Sequence, residues 1–249
     1  MYTDFAAVYD ALMRGVDYDG WADYYALLLK RCGVEGGSVC ECACGTGSLT
    51  VRLQRRGYAM TGVDISQEML SVAAAKARNS GVMIPFVKQD MCRLALHRRQ
   101  HAILCTCDGL NYLTVPDRAR QFFRAAFQAL RPGGALIFDL SSPYKLENTL
   151  GNNTLGSQEE DIAYIWQNAW QPRTSTVDMR LSIFVRGGEG AYARLEEIQR
   201  QRAYSKEELT GFLTDAGFER LRFYGDRTLR APTAKAARWH VTAIRPKEK

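Results

Sequence analysis

No stretch of this 249-residue chain comes near the roughly 18 consecutive apolar residues that a membrane-spanning helix needs. The opening Met1-Tyr2-Thr3-Asp4-Phe5 has neither a basic start nor an apolar run with a small-residue cleavage site, so no export leader is expected. Low-complexity tracts and fixed-period repeats are also missing, which argues against a disordered or solenoid chain and leaves disorder expected only at the ends. Paired cysteine spacing is absent too. The seven cysteines are odd in number, and Cys40, Cys42 and Cys44 alternate, as do Cys105 and Cys107, which is not how a disulfide framework or a zinc site is laid out. In a strand buried on both faces such cysteines are adequate small packing; no metal is expected, and a reducing cytoplasm fits. Of the three histidines, His97 and His101 fall in a basic loop that should face water, and His240, between Trp239 and Val241 in a predicted strand, reads as structural.

What is present is enough for one sizeable core. Hydrophobic residues make up 46% and charged residues 24%, and the length suits a single α/β domain over 1–249 carrying an insertion. The net charge of +6 admits an anionic partner, but the cations are scattered, with only short clusters such as Arg55-Arg56 and His97-Arg98-Arg99. A solvated basic surface is therefore favoured over a nucleic-acid face.

Between residues 39 and 140, apolar runs of strand length alternate with helical patterns, the sign of βαβ units and a parallel sheet covered on both faces. The predicted strands are 38–43, 59–64, 84–89, 102–107 and 135–140. Helices are expected over 48–56, over 67–78 after the cap Ser66, and over 117–130, starting past Pro116 and stopped by Pro132-Gly133-Gly134. Amphipathic segments at 5–13 and 21–31 form an N-terminal helical lid (1–36) able to close over the open end of the first strand. Downstream, 162–170, 176–185 and 191–202 read as an antiparallel β insertion (144–203), with Pro172 and Gly187-Gly188 at its reversals. A capping box at Ser205-Lys206-Glu207-Glu208 opens a helix to Ala216, and strands at 219–224 and 238–244 close the chain. The core is thus placed at 37–143 and 204–249.

Gly45 and Gly47 lie directly after the first strand and open the next helix, where missing side chains permit tight turning and close backbone approach to a ligand. Asp64 ends the second strand, 17 residues after Gly47, where a carboxylate accepts hydrogen bonds from ribose hydroxyls in several nucleotide-binding classes. Asp90 ends the third, 26 residues after Asp64, and suits an exocyclic amine such as adenine N6. Two acids at adjacent strand ends describe an adenosine pocket. Thr50 replaces the third glycine of Gly-x-Gly-x-x-Gly, and no Gly-x-x-x-x-Gly-Lys motif occurs, so nothing here is built for a pyrophosphate.

Glu41-Cys42-Ala43-Cys44-Gly45-Thr46-Gly47, Gly62-Val63-Asp64-Ile65-Ser66-Gln67-Glu68-Met69-Leu70 and Gln89-Asp90-Met91 resemble, in order and spacing, the cofactor motifs of class I S-adenosylmethionine-dependent methyltransferases. The resemblance is firm over about 39–140 and loose over the last 45 residues, where a closing antiparallel strand pair is similar. It implies a Rossmann-like, doubly wound, mostly parallel seven-stranded sheet with an antiparallel last strand. The implied cofactor is S-adenosylmethionine, with S-adenosylhomocysteine as product. It implies that Gly45 and Gly47 approach the methionine half, Asp64 binds the ribose, Ile65 packs on the adenine, and Asp90 with the Met91 backbone reads the adenine edge. Cys107 and Asp108 would lie beside the sulfonium, and Ala43 and Met69 complete the expected contacts. Tyr9-Asp10-Ala11-Leu12-Met13 and Cys107-Asp108-Gly109-Leu110-Asn111-Tyr112-Leu113 further resemble a bacterial small-molecule-type subgroup in which an N-terminal aromatic closes over the cofactor, which makes Tyr9 a candidate, with helix packing as its other reading.

The signatures of other methylation chemistries are lacking. No Pro-Cys dipeptide exists for attack on a pyrimidine ring, and the place of an Asn/Asp-Pro-Pro-aromatic motif holds Asp108-Gly109-Leu110-Asn111-Tyr112. Because the methyl donor is already activated, positioning can supply much of the acceleration, and Asp108, Asn111 and Tyr112 are the candidates to orient an acceptor amine or hydroxyl. The aromatic insertion, with Tyr164, Trp166, Trp170, Tyr192 and Tyr204, is expected either to wall the acceptor site or to serve as a sheet extension or dimer surface. A small-molecule acceptor is favoured. An RNA or protein methyltransferase, and a cofactor-binding protein without transfer activity, stay open, and the oligomeric state is unassigned.

Overall fold

The computed structural model describes residues 3–247. Two helices, α1 (Thr3–Leu12) and α2 (Tyr18–Arg31), precede an alternating run: β1 (Gly37–Cys42), α3 (Ser48–Arg55), β2 (Tyr58–Asp64), α4 (Gln67–Asn79), β3 (Phe86–Lys88), β4 (Gln100–Cys105), α5 (Pro116–Ala129) and β5 (Leu130–Ser141). Then come β6 (Thr154–Gln158), β7 (Ile162–Gln171), β8 (Thr176–Arg186), β9 (Tyr192–Arg202), α6 (Lys206–Asp215), β10 (Glu219–Gly225) and β11 (Arg238–Ile244).

Seven strands form one sheet in the order β10-β11-β5-β4-β1-β2-β3. β1 through β5 are parallel neighbours, and β11 runs antiparallel to both β5 and β10. The strand period of two divides the core between the faces. On β5, Leu136, Phe138 and Leu140 pack with Phe122 and Phe123 of α5 and with Leu209 and Leu213 of α6, while Ala135 and Ile137 meet Tyr25, Leu28 and Leu29 of α2. Helix starts follow their local chemistry: Ser66 Oγ accepts from the Met69 amide, and Ser205 and Glu208 close the expected capping box.

The second sheet, β6-β7-β8-β9, is antiparallel throughout. Its inner face sets Ile162 and Ile183 against Phe5 and Ala6 of α1 and Met69 of α4, and Val177 and Met179 against Leu146 and Leu150 of a helical stretch at Lys145–Leu150.

Three local expectations are corrected. The strand expected over 84–89 shrinks to Phe86–Lys88: Pro85 brings no amide hydrogen to a ladder, and past the Gln89 amide, which donates to the Asp64 carbonyl at 3.0 Å, Asp90 caps a short helical turn. Pro132-Gly133-Gly134 does not stop a helix. The chain passes from α5 into β5 at Leu130, and these residues lie where the β4–β5 register shifts, between the pairs Gln100–Leu130 and Ala102–Ala135. β6 was not expected: Thr154-Leu155-Gly156-Ser157-Gln158 has little strand propensity and is ordered by pairing with β7.

Candidate functional site

The carboxyl ends of β1, β2, β3 and β4 open into a cavity of about 430 Å³, closed on one side by Phe5 and Tyr9 of α1. Ligands collect at such strand ends in open α/β sheets because the loops there diverge. Nine residues expected to meet a cofactor line it: Tyr9, Ala43, Gly45, Asp64, Ile65, Met69, Asp90, Met91 and Cys107.

The glycine turn is held by the acid that follows it. Asp64 accepts from the Gly45 amide at 2.8 Å and from the Ser66 amide at 2.9 Å, leaving lone pairs on both oxygens. Burial pushes its pKa up, against the pull of those amides. At Gly45, with φ of +52°, nothing lies within 4 Å of where a Cβ would stand, so bare backbone faces open space. Asp90 accepts from the Cys92 amide at 2.9 Å and pairs with Arg118 at 2.5 Å. Burial opposes its ionisation, but Arg118 and the amide hold its carboxyl below the usual range. Ile65 is 63% exposed, an apolar side chain left open at the cavity edge.

Two expected cofactor residues do not line the cavity. Gly47, at φ of +69°, starts α3, and a Cβ there would meet Ala73 Cβ at 3.0 Å and the Phe86 ring at 3.2 Å; its role is the turn and close packing. Asp108 is drawn away by Arg238, with which it pairs, and Arg238 with Lys145 keeps it ionised despite burial. The expectation that Asp108 and Asn111 orient an acceptor is corrected on this geometry. Asn111 is buried and spent on backbone, donating to the Ser141 and Arg202 carbonyls and accepting from the Ser141 amide at 2.9 Å. Tyr112 does line the cavity, and its hydroxyl donates to Gln199 Oε1 at 2.8 Å.

The segment after β4 is anchored from below. Cys107 and Asp108 both hold positive φ, +53° and +65°, a conformation that costs L residues about 1–2 kcal/mol each. Fully buried Asp139 accepts from the Cys107 amide at 2.8 Å, the Asp108 amide at 3.1 Å and the Tyr25 hydroxyl at 2.5 Å, and pairs with Arg238. Burial and Asp139 keep the Cys107 thiol protonated.

Sequence reasoning missed Glu41, Tyr18, Thr106, Arg118 and Gln199. Glu41 had a signal, a carboxylate inside an otherwise apolar strand. It is 1% exposed, accepts from the hydroxyls of Thr50 and Thr106, and burial pushes its pKa up to about 7. Gln199 had none, since its place depends on how the second sheet docks. It is the insertion's sole cavity-lining residue among those described. The aromatics expected to wall the site sit elsewhere: Trp166 and Trp170 pack near Leu146, Tyr164 near α1, Tyr204 bonds the Leu113 carbonyl, and Tyr192 is exposed. His240 is buried among Trp21, Tyr24 and Tyr25, its pKa pulled down to about 4 by burial, and is neutral at physiological pH. Among the described residues no cluster of His, Cys, Asp and Glu is arranged to hold a metal ion, and no helix is long and apolar enough to cross a membrane.

Residues 39–134 match a family model described as a methyltransferase domain. Across nearly its whole length the chain is similar to "Putative methyltransferase GWCH70_2453" of Geobacillus sp. (strain WCH70), 37% identical over 95% of this chain and 96% of the relative. It is similar also to "Putative methyltransferase YqeM" of Bacillus subtilis (strain 168), 36% identical over 99% and 98%. Among solved structures, an S-adenosylmethionine-dependent methyltransferase from Clostridium acetobutylicum superposes with a TM-score of 0.89 at 32% identity, covering 99% of each chain.

Proposed function

We propose, since the chain belongs to the S-adenosylmethionine-dependent methyltransferases, that the cavity at the strand ends holds the methyl donor and that the acceptor is a small molecule presenting an amine or a hydroxyl. The observation that carries this reading is the convergence of Asp64 and Asp90, from adjacent strand ends, on one cavity whose floor at Gly45 is bare backbone. The residues present suit the group. Two carboxylates match ribose hydroxyls and an adenine amine, Ile65 and Met91 supply apolar faces, and the acidic walls suit a ligand that carries positive charge.

S-adenosylmethionine, when bound, supplies a sulfonium-activated methyl group. The protein's part is to orient and to exclude water. Tyr9 and Tyr18 have phenols that burial keeps neutral, so they offer aromatic faces and hydroxyls rather than a base. Tyr112 and Gln199, hydrogen-bonded to each other, join the post-β4 segment to the insertion at the same cavity and are assigned to acceptor orientation. An amine that enters unprotonated needs no general base, and none is assigned. In this reading the chain is one methyltransferase domain whose helical lid (1–36) and insertion (144–203) cap the core.

The test is calorimetric titration with S-adenosylmethionine. Asp64→Ala removes charged hydrogen bonds worth about 1.5 kcal/mol or more, so binding weakens about tenfold or beyond; affinity equal to that of the wild type sinks the ribose assignment.

A further inference from the structure

One polar cluster beside the cavity touches it only through Ser48, and none of its side chains has been assigned a part above. Lys76, in the last turn of α4, extends its ammonium to three separate parts of the fold. It reaches Asp10 of α1 at 2.9 Å (Oδ1) and 2.8 Å (Oδ2), Thr46 Oγ1 in the glycine turn at 3.0 Å, and Ser48 Oγ at the start of α3 at 2.6 Å. An ammonium has three hydrogens, and all three are used. The Thr46 hydroxyl donates in turn to Asp10 Oδ1 at 2.7 Å, closing a ring of partners. Thr46 and Ser48 are buried, and the Lys76 and Asp10 side chains are 22% and 40% exposed, so the pair is partly sheltered from solvent screening.

The cluster joins two pieces that each furnish a wall of the cavity. Asp10 follows Tyr9 and sits on the helix that supplies Phe5, while Thr46 stands between Gly45 and Gly47. α1 also makes apolar contacts with Met69 and Val72 of α4 and with the insertion, and apolar burial alone fixes register weakly. Hydrogen bonds to fixed atoms do fix register.

We infer that Lys76 is a positioning residue for the methyl-donor site, locking the lid helix to the glycine turn through Asp10, Thr46 and Ser48 so that the two walls open and close as one. The inference rests on the reading that this cavity holds the donor. Its signature is kinetic. Loss of the lock speeds ligand escape, because the lid then leaves independently of the floor, and alters ligand entry little.

The experiment uses the full chain and S-adenosylhomocysteine, with stopped-flow displacement for dissociation and calorimetry for affinity and stoichiometry. Lys76→Met and Asp10→Asn are expected each to raise the dissociation rate about 5- to 20-fold, with association within about twofold and one ligand bound per chain. The double variant is expected to dissociate no faster than the worse single one, since both remove the same interaction. Lys76→Arg, which keeps the charge, recovers most of the slow dissociation. A general loss of structure would instead lower the stoichiometry and leave the rate of the intact fraction unchanged. Dissociation unchanged in both single variants overturns the proposal, as do single effects that multiply in the double. If Lys76→Met does not fold, Asp10→Asn and Thr46→Val carry the same comparison. A wild-type chain that fails to bind S-adenosylhomocysteine overturns the cavity reading and the lock together; a wild type that binds, with variants that match it, overturns the lock alone.

Discussion

Glu41 lines the cavity as a buried carboxyl whose neutral form burial favours. Its pKa rises from an ordinary 4.5 to about 7 because burial penalises the carboxylate more than the Thr106 and Thr50 hydroxyls stabilise it. A raised acid favours the folded state while protonated: that contribution is full below the ordinary value and is lost as pH climbs through about 7. A bound ligand carrying net positive charge is expected to offset that penalty and drive the proton off. S-adenosylmethionine affinity should therefore strengthen between pH 6 and pH 8, by up to about tenfold per pH unit for one coupled proton. Titration in two buffers of different ionisation enthalpy should register proton release. Glu41→Gln should abolish the pH dependence, and a flat wild-type profile would contradict the account. At this scale the sequence was legible where a residue's position followed from its own strand: Asp64 ends β2 and Asp90 follows β3 by two residues, and both line the cavity. It misled at Asp108 and Asn111, whose side chains are claimed by Arg238, 130 residues away, and by the carbonyl of Arg202, 91 residues away.

At the level of elements, the turn from β1 into α3 depends on a backbone that only glycine adopts freely. Gly47→Ala combines a left-handed φ of +69° with a Cβ driven against Ala73 and the Phe86 ring. Gly57→Ala, at φ of +92°, meets nothing within 4 Å and isolates the backbone cost. Urea unfolding should show both variants destabilised by about 1–2 kcal/mol from conformation. Gly47→Ala should lose more, together with affinity for S-adenosylmethionine, because Phe86 belongs to the strand that leads to Asp90. Equal losses at the two sites would remove crowding from the explanation. Elements with a strong period or a cap were legible, including α4 with Ser66 and α6 with its capping box. β6 and the irregular start of β5 were not, because their order comes from a neighbouring strand rather than from their own residues.

The whole molecule draws its site from α1, from four strand ends of the parallel sheet, and from the second sheet through Gln199. Occupancy should accordingly stabilise the fold and not one loop. At about 100 times its dissociation constant, S-adenosylhomocysteine contributes about 2.7 kcal/mol. For a chain of this size that corresponds to a rise in Tm of about 5–10 °C. NAD at the same concentration should give none, and an equal shift with NAD would overturn the cofactor assignment.

The sequence by itself determined the parallel core and the placing of Asp64 and Asp90 at its open end, since hydrophobic period, helix caps and glycine turns are properties of a few neighbouring residues. Tertiary structure decided which distant side chains meet beside the cavity. Tyr112 meets Gln199 across 87 residues and Asp10 meets Lys76 across 66, and such pairs form only when separate elements dock at one register. No local pattern encodes that register; it follows from which apolar faces the sheet and helices must bury together.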